Sequence, residues 1–164
     1  MQKIKNHKDP FFKKDITKNS NLSKSVKFKL PFSIEECFNQ IIKISFQTLN
    51  GVNYHKLDKY RVGDIFKSKD GKKYELTSFN PPNIYQLTTR IENKVYKTTY
   101  YLQYLKPKKT QIEFSEVIMF EKNLKGFRET IGLINFNKEF DKRSKQITLH
   151  IYKGLVRGAK ISKN

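Results

Sequence analysis

The sequence predicts one α+β domain in which a curved antiparallel sheet of about six strands grips a long C-terminal helix. Three observations predict it. A capped helix follows an opening strand, five short alternating runs separated by turn signals fill residues 60–121, and the segment after Phe127 changes to helical period. At 164 residues the chain has room for one ordinary core and not for two comfortable domains.

Residues 1–24 carry seven lysines against Asp9 and Asp15 and show no sustained period, which reads as a flexible basic arm. Phe11 and Phe12 are its candidate docking side chains. The structured domain is then 25–164. Val26, Phe28 and Leu30 alternate with Ser25, Lys27 and Lys29 as in a half-buried strand, and Pro31 stops it. Ser33 and Glu36 form an S-x-x-E capping box, in which each side chain satisfies an orphan N–H at a helix start. Ile34, Phe38, Ile41, Ile42, Ser45 and Leu49 continue at helical spacing, and Asn50-Gly51 closes the helix.

Strands are expected at Tyr60–Lys67, Lys73–Phe79, Ile84–Glu92, Val95–Leu105 and Thr110–Glu121. Asp70-Gly71, Asn80–Asn83, Glu92–Lys94 and Lys106–Lys109 separate them, and loops this short make successive strands antiparallel neighbours. Phe136, Phe140, Ile147, Ile151 and Leu155 then mark a long amphipathic helix, expected to break near Gly132, with Lys138, Lys142, Arg143 and Lys145 on its wet side.

That order resembles the helix-grip architecture of the START/Bet v 1-like (SRPBCC) superfamily, and more closely the bacterial DUF3284 family within it. The resemblance rests on Pro31-Phe32-Ser33 and its helix, the hairpin Ile84–Leu105, the Glu-containing strand Ile112–Glu121 and the Gly126-Phe127 entry to a basic final helix. It covers about residues 25–155. It implies an apolar cavity between sheet and helix and, as in many members, a bound lipid or other hydrophobic small molecule. A few members are enzymes, and fold likeness alone does not choose between these roles.

On that expectation the cavity is lined from the helices by Phe38, Ile42, Ile131, Phe136 and Phe140. The strands contribute Tyr85 and Leu87 on one, and Tyr96, Tyr100, Leu102 and Tyr104 on the next. Phenol hydroxyls on an apolar wall suit a ligand pocket. The same aromatics also serve simply to fill the core beneath the helix. Glu116 falls in phase with Ile112, Phe114, Ile118 and Phe120, so alternation points it inward. A buried carboxylate needs a partner, for which Arg90, a tyrosine hydroxyl or a cationic ligand are the candidates, unless a bulge turns it to solvent.

The composition bounds the rest. A formal charge of +19 points to an anionic partner such as RNA, DNA, a ribosome-like surface or an anionic membrane. Only five of the 34 basic residues are Arg, however, and Ala159 is the sole alanine, which is also the signature of an AT-rich genome. The single cysteine, Cys37, allows no internal disulfide, and no apolar run approaches the roughly 20 residues of a membrane-spanning helix. No secretory h-region follows the N-terminal lysines, so a cytoplasmic protein is expected. His7, His55 and His150 fit no metal-binding frame, and no Gly-rich phosphate loop or nucleophile elbow is present. The reading is a non-catalytic binding protein without cofactor, its ligand small and hydrophobic or amphipathic. The alternative is a basic interaction protein.

Overall fold

A computed structural model describes residues 21–47, 49–50, 57–120 and 127–163, with side chains from 132 onward in the last of these segments. Strand β1 (Asn21–Leu30) leads to helix α1 (Ile34–Phe46), a single 3-10 turn at Leu57–Lys59, and strands β2 (Ile65–Lys67), β3 (Lys73–Asn80), β4 (Ile84–Ile91), β5 (Lys94–Lys106) and β6 (Lys109–Phe120). Helix α2 (Phe127–Ile161) follows. The sheet order is β1-β6-β5-β4-β3-β2 with every pairing antiparallel. The meander therefore runs from β2 to β6, and β1 closes on the far side of β6.

The opening strand starts four residues earlier than Ser25. Leu22 is buried opposite Ile118, so the inward series is Leu22, Lys24, Val26, Phe28 and Leu30. Lys24 hides this continuity in the sequence, because a lysine interrupts the apolar alternation. Its Nζ reaches Asp141 on α2 at 2.8 Å and sits 5.7 Å from the Phe140 ring centroid, while its stem follows the apolar surface. Residues 21–24 of the expected arm thus belong to β1, and residues 1–20 lie outside the described ones.

The capping box forms as the spacing predicts. Glu36 N donates to Ser33 Oγ at 3.2 Å, and Ser33 N donates to Glu36 Oε2 at 2.8 Å. The helix ends sooner than expected: Gln47 is its C-cap, Leu49 instead bridges Ser68, and Asn50 N donates to Lys67 O at 2.8 Å. Gly51 lies outside the described residues. The strand expected at Tyr60–Lys67 shrinks to Ile65–Lys67, because Arg61 to Asp64 makes a turn closed by the Asp64 carboxylate and by Gly63 at φ +100°. Asp70-Gly71 turns as expected, with Gly71 at φ +86°.

Helix α2 is continuous over 35 residues, about 52 Å long, and Gly132 does not break it. One glycine inside a long helix costs only about 1 kcal/mol relative to alanine. Its stripe of Phe136, Phe140, Ser144, Ile147, Ile151 and Leu155 lies against the sheet and α1. At Gly154 the missing side chain leaves room for the Gln40 amide of α1, so the two helices approach closely there.

Candidate functional site

The inner face of the sheet is covered in two different ways. Under α1 it is solid: Phe38, Ile41 and Ile42 from the helix meet Leu102, Ile112 and Phe114 from β5 and β6, all essentially inaccessible. An aromatic series crosses from this core toward α2. Tyr85 stacks on its cross-strand neighbour Tyr100 at 6.0 Å, Tyr100 meets Phe114 at 5.1 Å, and Phe114 stacks on Phe140 at 5.5 Å. Such pairs add packing specificity beyond the area they bury.

Beyond this series, where among the described residues only the N-terminal half of α2 spans the sheet, a cleft of about 530 Å³ remains. Its floor comes from Tyr74 of β3, Thr89 and Ile91 of β4, and Tyr96 and Thr98 of β5. Its wall comes from Phe136, Glu139 and Arg143 of α2, and a small cluster of Leu22, Ile118, Phe120 and Phe136 closes one end. Lys94 stands at the rim, its ammonium 5.6 Å from the Phe120 ring centroid.

Glu116 faces into this cleft. Both neighbouring strands pair with β6 without a register shift at this residue, so no bulge turns it outward. Its partner is Arg143, not Arg90: Arg143 Nε donates to Oε1 at 3.0 Å and a terminal guanidinium nitrogen donates to Oε2. This two-point pairing matches the fork of the guanidinium to the carboxylate. The Glu116 side chain is 14% exposed and that of Arg143 40%. The Glu116 carboxylate raises the Arg143 pKa further above its ordinary value, chiefly through these hydrogen bonds. Arg143 was expected on the wet side of α2. It lies three residues after Phe140 and seven after Phe136, so helical spacing carries it to the flank of the buried stripe.

Beside the cleft, on the same face of the sheet, lies a smaller chamber of about 170 Å³ that shares Tyr74, Thr89, Tyr96 and Thr98 with it. Ser45 of α1, Tyr85, Leu87 and Tyr100 complete its lining. Tyr85 is 1% exposed and its hydroxyl makes no hydrogen bond. Burial drives the Tyr85 phenol pKa well upward, and the nearby Ser45 side chain, which does not meet hydrogen-bond geometry to the phenol, opposes this. The Tyr100 phenol is raised by burial and then by the charge of Glu116.

The twelve residues expected on the cavity wall divide by place. Tyr96, Glu116 and Phe136 line the cleft, and Tyr85, Leu87, Tyr96 and Tyr100 line the chamber. Phe38, Ile42, Leu102 and Phe140 are packed in the solid core instead. Tyr104, near the end of β5, faces solvent at 54% exposure beside its fully buried cross-strand partner Thr110. Ile131 belongs to α2, with its side chain outside the described residues. The reading missed Tyr74, Thr89 and Thr98, although alternation places them in phase with Leu76, Tyr85 and Tyr100.

Cys37 is buried beside Phe32 O, and burial pushes its thiol to about 11, which makes it a poor nucleophile. Among the described residues, no three His, Cys, Asp or Glu side chains gather as a metal site, and His150 is exposed. His7 and His55 lie outside the described residues. No described helix is long and apolar enough to cross a membrane.

The model of the family described as a domain of unknown function, DUF3284, matches residues 24–137. The chain belongs to the DUF3284 family. Among curated proteins none matches it. Solved structures share its helix-grip fold at low identity. Ara h 8.0201 is 10% identical with a TM-score of 0.58, over 84% of this chain and 99% of that one. The Aha1 of Colwellia psychrerythraea is 11% identical with a TM-score of 0.53, over 83% of this chain and 96% of that one. A Thalictrum norcoclaurine synthase point mutant, in complex with a transition-state analogue, is 10% identical with a TM-score of 0.52, over 85% of this chain and 98% of that one. The DUF3284 chain therefore has the Bet v 1-like fold, and that fold accommodates proteins of different activities.

Proposed function

We propose that this DUF3284 protein is a non-catalytic binding protein that holds a small hydrophobic or amphipathic molecule between its sheet and α2. The observation that carries this reading is the cleft of about 530 Å³, which falls in the roughly 300–1,000 Å³ range of small-molecule sites. Its Phe136, Ile118, Ile91 and Tyr96 surfaces supply apolar burial, and the Glu116–Arg143 pair supplies a fixed polar group. The fold is shared with a norcoclaurine synthase that holds a transition-state analogue, which supports a small-molecule site without choosing the ligand.

The neutral fluorophore N-phenyl-1-naphthylamine tests the reading. It should bind the folded protein at one site per chain, and Thr98→Trp, which fills the cleft, should weaken binding about tenfold or more while preserving the circular dichroism spectrum. Binding unaffected by Thr98→Trp, or no binding at all, would remove the cleft from consideration. The basic-surface reading has less support. Among the described residues exposed lysines occur on α1, α2, β1, β2 and β3, but a single-strand nucleic-acid site also needs aromatics on which bases stack, and no solved structure of this fold named above adds support for it.

A further inference from the structure

The chamber beside the cleft differs chemically from the cleft itself. Its side chains are hydroxyls and hydrocarbon: Ser45, four tyrosines (Tyr74, Tyr85, Tyr96 and Tyr100), and Thr89 and Thr98 around Leu87. None of its lining residues carries a carboxylate, ammonium or guanidinium, so the chamber has no fixed charge to neutralise a charged group. At about 170 Å³ it exceeds the roughly 30 Å³ share of one water several times over, and it matches a small acyl group or ring.

The Tyr85 hydroxyl is the decisive feature. It sits at the inner wall on a side chain that is 1% exposed, it has no protein hydrogen-bond partner, and buried hydroxyls in folded proteins are generally paired. Thr89 is not an alternative of the same kind, since its Oγ1 already donates to Lys73 O at 2.6 Å. The phenol remains a protonated donor throughout the physiological range, because burial raises its pKa. What it lacks is an acceptor.

Resting on the ligand-binding reading above, we propose that the chamber is a head-group site for an uncharged hydrogen-bond acceptor, a ketone-type or amide-type carbonyl oxygen, to which Tyr85 donates. The ligand is then a neutral amphiphile whose carbonyl end enters past Tyr96 and Thr98 and whose apolar body lies in the cleft. A carboxylate head is disfavoured because Glu116 stands at the passage with its guanidinium partner already engaged.

Two neutral naphthalene fluorophores separate this inference from the reading it rests on. One is 6-propionyl-2-dimethylaminonaphthalene, which carries a ketone, and the other is N-phenyl-1-naphthylamine, which does not. Tyr85→Phe should weaken the ketone probe about five- to tenfold, the worth of one hydrogen bond, and shift its bound emission to the blue. The amine probe should change by less than about twofold on the same scale. Equal affinities of wild type and Tyr85→Phe for the ketone probe, with unchanged emission, would overturn the head-group site and leave the cleft reading standing. Failure of the wild type to bind either probe would overturn both. If Tyr85→Phe does not fold, Tyr100→Phe on the neighbouring strand takes its place. A loss specific to the ketone probe supports the head-group site there, and an equal loss for both probes overturns it.

Discussion

The half of the sheet beneath α1 and the half beneath the N-terminal turns of α2 obey the same alternation, yet one is solid and the other holds a cleft. The difference lies in what covers them. Two helices meet over Leu102, Ile112 and Phe114, and Gly154 lets them approach closely. Among the described residues a single helix stands over Tyr96, Thr98 and Glu116, where the Glu116–Arg143 ion pair bridges helix and sheet. The lesson is that cavity formation in this fold follows from helix coverage more than from the apolar content of the strands.

Substitutions on the two sides should separate stability from binding. Phe140→Ala lies in the solid half and should lower unfolding free energy by about 3–5 kcal/mol, read from urea denaturation. Tyr96→Ala, on the cleft floor, should cost only about 1 kcal/mol and act mainly on probe affinity. Equal costs would show that the two halves are packed alike. Leu22→Ala tests the closed end of the cleft. Its burial against Phe120 and Phe136 predicts a loss of about 2–3 kcal/mol, whereas a flexible arm extending through residue 24 would give almost none.

The bridge itself comes next in size. Arg143→Ala leaves Glu116 nearly buried without its partner and should cost about 1–3 kcal/mol, moderated by the partial exposure of the guanidinium. The double variant Glu116→Leu/Arg143→Leu should recover most of that loss. If the double variant is no more stable than Arg143→Ala, the penalty comes from something other than an unpaired carboxylate.

These cases also show how far the sequence could be read. Strand alternation and the capping box were visible because their signals are local: Glu116 was placed inward from four neighbours on its own strand. Arg143 departs from the solvent side expected of a charged residue on an amphipathic helix, because its spacing from Phe136 and Phe140 carries it to the flank of the buried stripe. The start of β1 was obscured by Lys24, whose inward position is tolerated through Asp141. Phe38 and Leu102 face inward as expected but lie in the solid half, since the sequence does not reveal where the second helix ends its coverage. Tyr104 illustrates the same limit at the strand end.

The smallest expected effect is at the α1 start, in the solid half. Ser33→Ala should cost about 1 kcal/mol at neutral pH. Glu36 is held below its ordinary 4.5 first by the hydrogen bond from the Ser33 backbone, with Lys108 contributing less. Its folded pKa is thus lower than its unfolded one. The carboxylate therefore stabilises the fold above the unfolded value, and the contribution is lost as pH falls through the folded one. Glu36→Gln should accordingly be less stable than wild type near pH 7 and approach it in acid. A difference independent of pH would place the effect outside the carboxylate.

The contrast between the two halves is tested most directly by intermolecular nuclear Overhauser effects from bound N-phenyl-1-naphthylamine to assigned methyl groups. Contacts to Ile118, Thr98 and Ile91, with none to Ile42, Leu102 or Ile112, are the predicted result. Contacts to Ile42 and Leu102 would show that the half under α1 opens to accept the ligand, and would contradict the assignment of binding to the cleft beneath α2.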